Sequence, residues 1–291
     1  KNKQTQRVGS TLLPAAFPTR QEVKAMMLKD KVGIVTGSGS GIGRASAVRC
    51  AREGAKLALF DVSEAGLEGT RAEILSSVPT AEVLCLKVDV SSEEEVKNAI
   101  DETCKTFGKL DFAHNNAGVS MSPGKVGEVD TKSWERVVHI NLFGNFYCAK
   151  YEIQHMLKHE GPSSILFTSS VGGLIGTPAS SDYVCSKHAL IGLAKAICCD
   201  YADAGIRANC ICPGQIATPM WETVNSRFAG DPEGFAKFNR SQNPMRRLGR
   251  PEEIAAAAVF LLSEESSHIA GVALPVDGAH VASNASYFNW D

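Results

Sequence analysis

The sequence predicts an α/β fold in which a doubly wound parallel sheet of seven strands carries helices on both faces. Short apolar, β-rich runs alternate with helical stretches from Leu28 onward, and no change in composition interrupts this alternation. Strands that alternate with helices are joined by right-handed crossovers, which give a parallel sheet covered on both sides. We therefore expect one domain over residues 28–280 of the 291-residue chain.

The seven apolar runs that we interpret as strands span residues 31–36, 56–60, 82–88, 110–115, 164–169, 206–211 and 272–276. The stretches between them are predicted helices. Residues 91–107 open with two serines and three glutamates, which suit the amino end of a helix. Residues 134–157 form one long amphipathic stretch, and Pro251 suits the first turn of the last helix.

Three segments depart from the alternation. The basic residues 1–27 predict an N-terminal extension that wraps on the surface or on a neighbouring subunit, with a weak organelle-targeting signal as the alternative. Residues 219–249 are too long for an ordinary connection and are predicted to be a substrate-binding loop. Residues 281–291 form a tail whose aromatic cluster is expected to pack across a subunit boundary or near an active site.

The bulk composition excludes several classes of partner. The net charge of −2 gives no reason to expect nucleic acid or an anionic membrane, and no apolar run is long enough to span a bilayer. The nine cysteines are odd in number and show no paired CxxC spacing. We therefore expect reduced thiols, no metal site and a cytoplasmic protein.

A glycine-rich run, TGSGSGIG at residues 36–43, follows the first strand and opens the first helix. Glycines let the backbone turn tightly and approach a ligand, and a helix amino end presents unpaired amides to a pyrophosphate. The strict GxGxxG pattern is absent, and the run fits TGxxxGxG instead. A plain tight turn is the alternative, but the position between strand and helix favours a dinucleotide site.

The second strand ends at Asp61, which lies 18 residues after Gly43. An acid at this position accepts hydrogen bonds from the adenosine ribose and repels a 2′-phosphate, so the cofactor is predicted to be NAD. Two alternatives stay open: Asp61 as a helix cap, and Arg44 as the cation for a 2′-phosphate. Asp89 and Asn115 also end strands, at the edge where such sheets bind ligands. Asp89 is expected near the adenine, and Asn115 either contacts the cofactor or pins two strands together.

Tyr183 and Lys187 stand four residues apart in DYVCSKH, a predicted helix, and therefore share one helical face. A nearby cation lowers the pKa of a phenol, which makes a tyrosine a better base near neutral pH. This spacing favours acid–base chemistry over a surface pair.

Five motifs occur in the order typical of the short-chain dehydrogenase/reductase family, which the chain resembles over residues 28–280. They are Thr36-Gly-x-x-x-Gly41-x-Gly43, Asn115-Asn-Ala-Gly118, Asn141, Ser170 with Tyr183-x-x-x-Lys187, and Pro213-Gly214. The resemblance implies a Rossmann-type fold and a nicotinamide cofactor. The stretch at residues 56–84 and the loop near Pro219 resemble NAD-dependent members acting on cyclic ketones or secondary alcohols.

The resemblance also implies the roles of individual residues. The implied catalytic tetrad consists of Tyr183, Lys187, Ser170 and Asn141, with Ser170 at the family's usual 13 residues before the tyrosine. Ser169, its neighbour, is the less favoured serine. The implied cofactor contacts are Gly37, Ser40, Gly41, Ile42, Gly43, Asp61, Val62, Asp89, Val90, Asn115, Ala117, Gly118, Tyr183, Lys187, Pro213, Gly214, Ile216, Thr218 and Met220.

Together these features predict an NAD(H)-dependent enzyme that interconverts a small secondary alcohol and a ketone. Tyr183 would act as the base, Lys187 would lower its pKa and hold the nicotinamide ribose, and Ser170 would stabilise the substrate oxygen. Asn141 would link Lys187 to solvent through water. Met220, Trp221 and Phe228 suggest a lid over a cyclic or largely apolar substrate.

Alternative functions on the same fold are an NADPH-dependent biosynthetic ketone reductase and a cofactor-binding or cyclising protein without redox turnover. The family resemblance further implies a homotetramer, assembled through the long helices near residues 133–160 and 181–203 and through the last strand.

Overall fold

One parallel sheet organises the part of the chain described by the computed structural model, residues 26–225 and 230–283. Its strands are β1 (Val32–Thr36), β2 (Lys56–Asp61), β3 (Val83–Lys87), β4 (Phe112–Asn115), β5 (Ser163–Thr168), β6 (Ile206–Pro213) and β7 (Ala273–Val276). They lie in the order β3-β2-β1-β4-β5-β6-β7, and every neighbouring pair is parallel. The predicted fold class is confirmed, and each predicted strand begins and ends within two residues of the observed one.

Helices follow the strands throughout the described chain. They are α1 (Gly41–Arg52), α2 (Glu64–Ser77), α3 (Glu93–Phe107), α4 (Thr131–Val138), α5 (Gly144–Met156), α6 (Ser181–Tyr201), α7 (Pro219–Asn225), α8 (Pro232–Ser241) and α9 (Pro251–Leu262). The acidic start of α3 and the Pro251 start of α9 agree with the sequence prediction. The predicted loop at residues 219–249 contains two short helices, α7 and α8.

The predicted long helix at residues 134–157 is interrupted. A π-helical segment, His139–Phe143, separates α4 from α5. Within this wider turn Asn141 is fully buried, while Phe143 is 44% exposed. A π-helical turn inside an α-helix is often found at a functional site, because it aims a side chain and frees a backbone group that a regular helix would occupy.

Two apolar layers hold the helices against the sheet. On one face α3, α5 and α6 bury residues such as Ile100, Ile153 and Leu190 against the strands. On the other face α1, α2 and α9 bury residues such as Val48 and Ile254. The sheet is therefore covered on both sides, which explains why the strands read as continuous apolar runs.

The strand order reverses between β1 and β4, because the chain leaves β1 towards β2 and β3 and later returns to β4 on the other side. In open α/β sheets ligands bind at the carboxyl ends of the strands at this switch point. Thr36 and Asn115 end the two strands there.

Within the described residues, none of the helices combines the length and the apolar character that a membrane span requires. The nine cysteines lie in the described part of the chain, and all are free thiols. The sequence predictions for residues 1–25, for Phe228 and for the aromatic residues of the tail fall outside the described residues.

Candidate active site

The glycine-rich run forms a tight turn between β1 and α1. Gly37 and Gly41 adopt φ of 62° and 52°, the left-handed region that favours glycine. A Cβ at Gly43 would lie 2.1 Å from the Gly37 carbonyl oxygen, so the helix can begin here only with glycine. Ser40, at the amino end of α1, is exposed and forms no side-chain cap. The first amides of α1 therefore stay available to an anion.

Asp61 lies beside this turn, at the end of β2. Its carboxylate accepts the Gly39 N–H at 2.8 Å and the Ser63 N–H at 2.9 Å. The carboxylate is thereby fixed in orientation and keeps further lone pairs for a ligand. A Cβ at Gly39 would lie 2.9 Å from the carboxyl carbon, which explains the glycine at that position. The helix-cap alternative for Asp61 is not what the structure shows, since the Ser63 hydroxyl caps α2.

Arg44, the alternative cation for a 2′-phosphate, is used inside the fold. Its guanidinium donates to the Gly39 carbonyl, to the Thr70 hydroxyl at 3.0 Å and to the Gly66 carbonyl at 3.4 Å. These bonds hold the glycine turn against α2. Its Nε and Nη2 groups are thus engaged within the fold.

Three of the predicted cofactor contacts, Val62, Asp89 and Val90, follow the ends of β2 and β3. Val62 is 59% exposed and offers an apolar surface. Asp89 is exposed, and its carboxylate accepts the Ser91 N–H at 2.9 Å and the Ser91 hydroxyl at 2.7 Å. Val90 is buried and packs against Gly144, where a Cβ would lie 2.9 Å from Val90 Cγ2. The side chain of Val90 therefore packs the segment after β3 against the start of α5.

Two adjacent asparagines at the end of β4 point in opposite directions. Asn115 is fully buried and its side chain donates to the Glu152 carboxyl at 2.8 Å, away from the glycine turn, so a cofactor contact through its backbone stays a prediction. Asn116 pins the strands instead, donating to the Thr36 carbonyl at 3.1 Å and accepting from the Thr168 hydroxyl at 3.0 Å. Successive side chains of a strand point to opposite faces, which accounts for the exchange of roles.

The segment after Asn116 passes beside Lys187. Thr36 Oγ1 accepts the Ala117 N–H at 2.9 Å. Asn141 accepts the Val119 N–H at 2.7 Å and donates to the Val119 carbonyl at 3.0 Å. A Cβ at Gly118 would lie 3.0 Å from Asn141 Oδ1 and 3.4 Å from Lys187 Nζ. Because both halves of its amide bind Val119, the Asn141 side chain positions this segment. The water-linked proton path through Asn141 stays a prediction.

Lys187 is buried, with 3% of its surface exposed. Its ammonium donates to the Thr168 carbonyl at 2.8 Å and lies 5.4 Å from the centroid of the Tyr183 ring. Burial lowers the pKa of Lys187 to about 8, although the Cys210 and Cys212 thiols act weakly in the other direction. A buried amine with a pKa near neutral pH is typical of functional sites.

Tyr183 lies on the same face of α6, and Ser170 stands opposite it. A Cβ at Gly172 would lie 3.5 Å from the Tyr183 ring and 3.6 Å from Ser170 Oγ, which places both side chains around this glycine. Burial raises the pKa of Tyr183, and its hydrogen bond with Ser170 acts in the opposite direction. The Lys187 ammonium faces the Tyr183 ring and the Thr168 carbonyl, and its lowering of the tyrosine pKa stays a prediction.

The two adjacent serines are clearly distinguished. Ser169 is 1% exposed and donates to the Lys187 carbonyl at 2.8 Å, which fixes α6 to β5. Ser170 accepts the Gly172 N–H at 3.1 Å, and its hydroxyl forms the hydrogen bond with Tyr183. The structure therefore brings Ser170, rather than Ser169, to Tyr183.

The loop after β6 closes the other side of the site. Gly214 approaches Asp277 so closely that a Cβ would lie 2.9 Å from its Cα atom. Ile216 is buried against Gly249, and the backbones of the two residues form a parallel bridge. Thr218 Cγ2 lies within 3.2 Å of a Cβ built on Gly41, so this loop meets the glycine turn.

The remaining predicted cofactor contacts flank these features. Pro213 is the last residue of β6, Ile42 is half-buried in the first turn of α1, and Met220 is 42% exposed in α7. Sequence reasoning missed Thr36 Oγ1, Asn116 and the Thr168 carbonyl as the groups that hold the site together. The second asparagine of the Asn115–Gly118 motif was the available signal.

No group of three or more histidine, cysteine, aspartate or glutamate side chains in residues 26–225 and 230–283 is arranged to hold a metal ion.

Comparisons with known proteins agree with this geometry. A family model described as enoyl-(acyl carrier protein) reductase matches residues 36–279. Levodione reductase of Leifsonia aquatica is 40% identical over 256 residues, which cover 87% of this chain and 95% of that protein. Cyclohexanol dehydrogenase of an Acinetobacter species (strain SE19) is 34% identical over 266 residues, 90% of this chain and 99% of the other.

A solved structure shares the architecture. Carveol dehydrogenase from Mycobacterium avium, determined in complex with NAD, superposes with a TM-score of 0.84 at 29% identity, covering 88% of this chain and 99% of the other. The family predicted from the motifs is thereby confirmed: the chain belongs to the short-chain dehydrogenase/reductase family of oxidoreductases.

Proposed function

We propose that this oxidoreductase interconverts a secondary alcohol and a ketone with NAD(H) as its cofactor, and that its substrate is cyclic or largely apolar. The observation that carries the proposal is the grouping of the Ser170 hydroxyl, the Tyr183 phenol and the buried Lys187 ammonium beside the glycine turn. An acid, a cation and a hydrogen-bond donor at one edge of the sheet are the groups that carbonyl reduction needs.

The residues at this edge fit a nicotinamide dinucleotide. Gly37, Gly41 and Gly43 form a cradle that a Cβ at Gly43 would fill, and the amides of α1 face it. Gly118 leaves room beside Lys187 Nζ, where a ribose would be held. Asp61 offers its remaining carboxylate lone pairs to the other ribose. When bound, the nicotinamide gives or takes the hydride, and the protein positions it.

The preference for NAD over NADP rests on Asp61 and Arg44. A carboxylate fixed by two backbone amides accepts hydrogen bonds from ribose hydroxyls but repels a phosphate. The guanidinium of Arg44, which a 2′-phosphate would need, is engaged with Gly39, Thr70 and Gly66. The NAD-bound carveol dehydrogenase is a related case.

Tyr183 moves the proton in the proposed reaction. With its pKa raised by burial, the phenol is protonated at neutral pH, and it can donate its proton to the oxygen of a ketone. With substrate bound, the Ser170 hydroxyl would turn from Tyr183 to donate to the same oxygen and stabilise its developing charge. In the reverse direction Tyr183 must first lose its proton, so alcohol oxidation is favoured at higher pH.

Lys187 and Asn141 assist the proposed proton transfer by Tyr183. The Lys187 ammonium stabilises negative charge on the phenol, and the Thr168 carbonyl holds it in place at 2.8 Å. Asn141, through Val119, positions Gly118 next to that ammonium. We assign the Asn141 side chain a positioning role.

The substrate class follows from the lid helices and the relatives. Trp221 of α7 stacks on Phe238 of α8 at 6.2 Å between ring centroids, and its indole donates to Asn239 at 3.1 Å. This contact joins α7 to α8, and we propose that the two helices form an apolar cover over the substrate. Relatives named for levodione, cyclohexanol and carveol support a cyclic substrate.

The protein is further proposed to be a cytoplasmic homotetramer. Phe143 and Phe146 are 44% and 43% exposed, and Phe143 stacks with His139 at 5.3 Å between ring centroids. An exposed aromatic cluster on the helices named by the family resemblance suits a subunit interface. Free thiols suit a reducing compartment. Light scattering at micromolar concentration tests the assembly, and a monomer would contradict it.

The experiment that tests this function measures NADH formation from cyclohexanol, with NAD and with NADP, for the wild type and for Asp61→Ala. We expect turnover with NAD in the wild type and a loss of preference for NAD in the variant. Arg44→Ala serves as the comparison, and we expect it to weaken both cofactors alike, because its bonds hold the glycine turn. A wild type that prefers NADP would overturn the assignment of Asp61.

A further inference from the structure

A glutamate and an asparagine form an isolated polar pair inside the fold. Glu152 of α5 and Asn115 at the end of β4 are both fully buried. Asn115 Nδ2 donates to Glu152 Oε2 at 2.8 Å. The other atom of each group, Asn115 Oδ1 and Glu152 Oε1, is buried without a partner. Two unpaired oxygens within one hydrogen-bonded pair call for an explanation, because buried polar groups are almost always satisfied.

We infer that Glu152 is held as a neutral carboxylic acid whose hydroxyl donates to Asn115 Oδ1, and that the resulting ring of two hydrogen bonds positions the Asn116–Gly118 segment. A carboxylic acid and a primary amide are planar groups of similar size, so one hydrogen bond between them sets the two remaining atoms opposite each other. Exchanging the nitrogen and oxygen of Asn115 gives the same ring, so the inference does not depend on that assignment.

The surroundings of Glu152 favour its neutral form. Burial raises the pKa of Glu152 to about 8, and the hydrogen bond from Asn115 acts in the opposite direction. Its titratable neighbours are the thiols of Cys148 on α5 and Cys104 on α3, and burial raises the pKa of both. Asp101 and Lys158 act on Cys104 but do not contribute to the pKa of Glu152. From β4 and β5, no titratable side chain among the described residues contributes to it.

The ring lies directly behind the segment that lines the proposed cofactor site. Asn116 is bonded to Thr36 at the end of the neighbouring strand β1, and Thr36 Oγ1 accepts the N–H groups of both Asn116 and Ala117 at 2.9 Å. On the side of α5, Asn145 donates to the Ala117 carbonyl at 3.3 Å. Glu152 adds the second attachment of this segment to α5, through Asn115.

Ionisation of Glu152 would open the ring, because a carboxylate has no proton to donate to Asn115 Oδ1. The folded state then holds an uncompensated charge next to the segment. The link from the ring to the cofactor rests on the proposed function, whereas the ring itself does not. One experiment tests whether the ring exists, and a second tests whether it affects cofactor binding.

The first test is urea unfolding from pH 5 to pH 8 for the wild type, Glu152→Gln and, as a control, Glu73→Gln at an exposed position of α2. A glutamine forms the same ring at every pH. Between an unfolded-state pKa of about 4.3 and the folded-state pKa, the wild type binds a proton that its unfolded chain lacks, so its stability falls as the pH rises. Relative to Glu152→Gln, we expect the unfolding constant of the wild type to increase by about tenfold per pH unit.

For Glu73→Gln, the ratio of unfolding constants to the wild type should not change with pH, since this side chain is solvated in both states. A pH-independent ratio for Glu152→Gln as well would overturn the inference. If that variant does not fold, infrared spectroscopy of the wild type decides the question. At pH 6 the wild type should show the C=O stretch of a buried carboxylic acid, and its absence would overturn the inference.

The second test measures the dissociation constant of NAD by fluorescence at pH 6 and pH 9. If the ring positions the segment, NAD affinity should fall more steeply towards pH 9 in the wild type than in Glu152→Gln. Equal ratios in the two proteins would overturn the positioning role. If NAD does not bind at all, the proposed function fails, while the unfolding and infrared results still decide whether the ring exists.

Discussion

Replacing Lys187 by methionine should make the protein more stable and inactive. The folded state lowers the pKa of Lys187 from 10.5 to about 8, because the ammonium is buried. At about 1.4 kcal/mol per pH unit, holding the charged amine in the folded state costs about 3 kcal/mol at pH 7. The methionine variant escapes this cost but loses the hydrogen bond to the Thr168 carbonyl, worth about 1 kcal/mol. We expect a net gain of about 2 kcal/mol in the free energy of unfolding.

Urea unfolding at pH 7 and at pH 10 measures this gain. Between the folded-state pKa and the unfolded-state value, the unfolded chain holds more protons, so the wild type gains stability as the pH rises and the advantage of the variant shrinks. Lys195→Met, at an exposed position of α6, is the matched control and should show no such pH dependence. A Lys187→Met variant that is less stable than the wild type at pH 7, by an amount that does not change with pH, would refute the reasoning.

Two further pairs of substitutions each compare a residue of the site with a matched control. Gly43→Ala places a Cβ 2.1 Å from the Gly37 carbonyl and should abolish NAD binding in a fluorescence titration, whereas Gly192→Ala, with open space around its Cβ, should retain it. Unchanged binding by Gly43→Ala would contradict the cradle. Ser170→Ala should lower kcat by about 10²–10³-fold with little change in the melting temperature. Ser169→Ala, which removes the bond to the Lys187 carbonyl, should lower the melting temperature. A loss of kcat in Ser169→Ala and of melting temperature in Ser170→Ala would contradict the roles assigned to the two serines.

The sequence predicted the sheet well because its signal is local. Parallel strands covered on both faces appear in the sequence as apolar runs. Helix starts are marked by residues that suit the first turn, such as Pro251 in α9. The glycine turn was also predictable, since the tight approach of Gly43 to Gly37 leaves no alternative residue. For α8 the signal was present and was not used: Asp231 caps the helix and Pro232 begins it.

Other features depend on packing that the sequence does not display. Asn115 and Asn116 are chemically identical, and only the position of the helices relative to β4 decides which one meets Glu152 and which one pins Thr36. The pKa of Tyr183 depends on burial, which a spacing of four residues cannot reveal. The π-helical turn at Asn141 has no marker in the amphipathic pattern of the surrounding helix.

The most direct test of the central claim is the change in nicotinamide absorbance when the wild type and Tyr183→Phe are offered NAD with cyclic secondary alcohols, or NADH with the corresponding ketones. We expect turnover by the wild type and a loss of about 10²–10⁴-fold in the variant, whose ring still fills the same space but has no proton to transfer. A variant as active as the wild type, or a wild type that binds NAD yet turns over none of these substrates, would contradict the account.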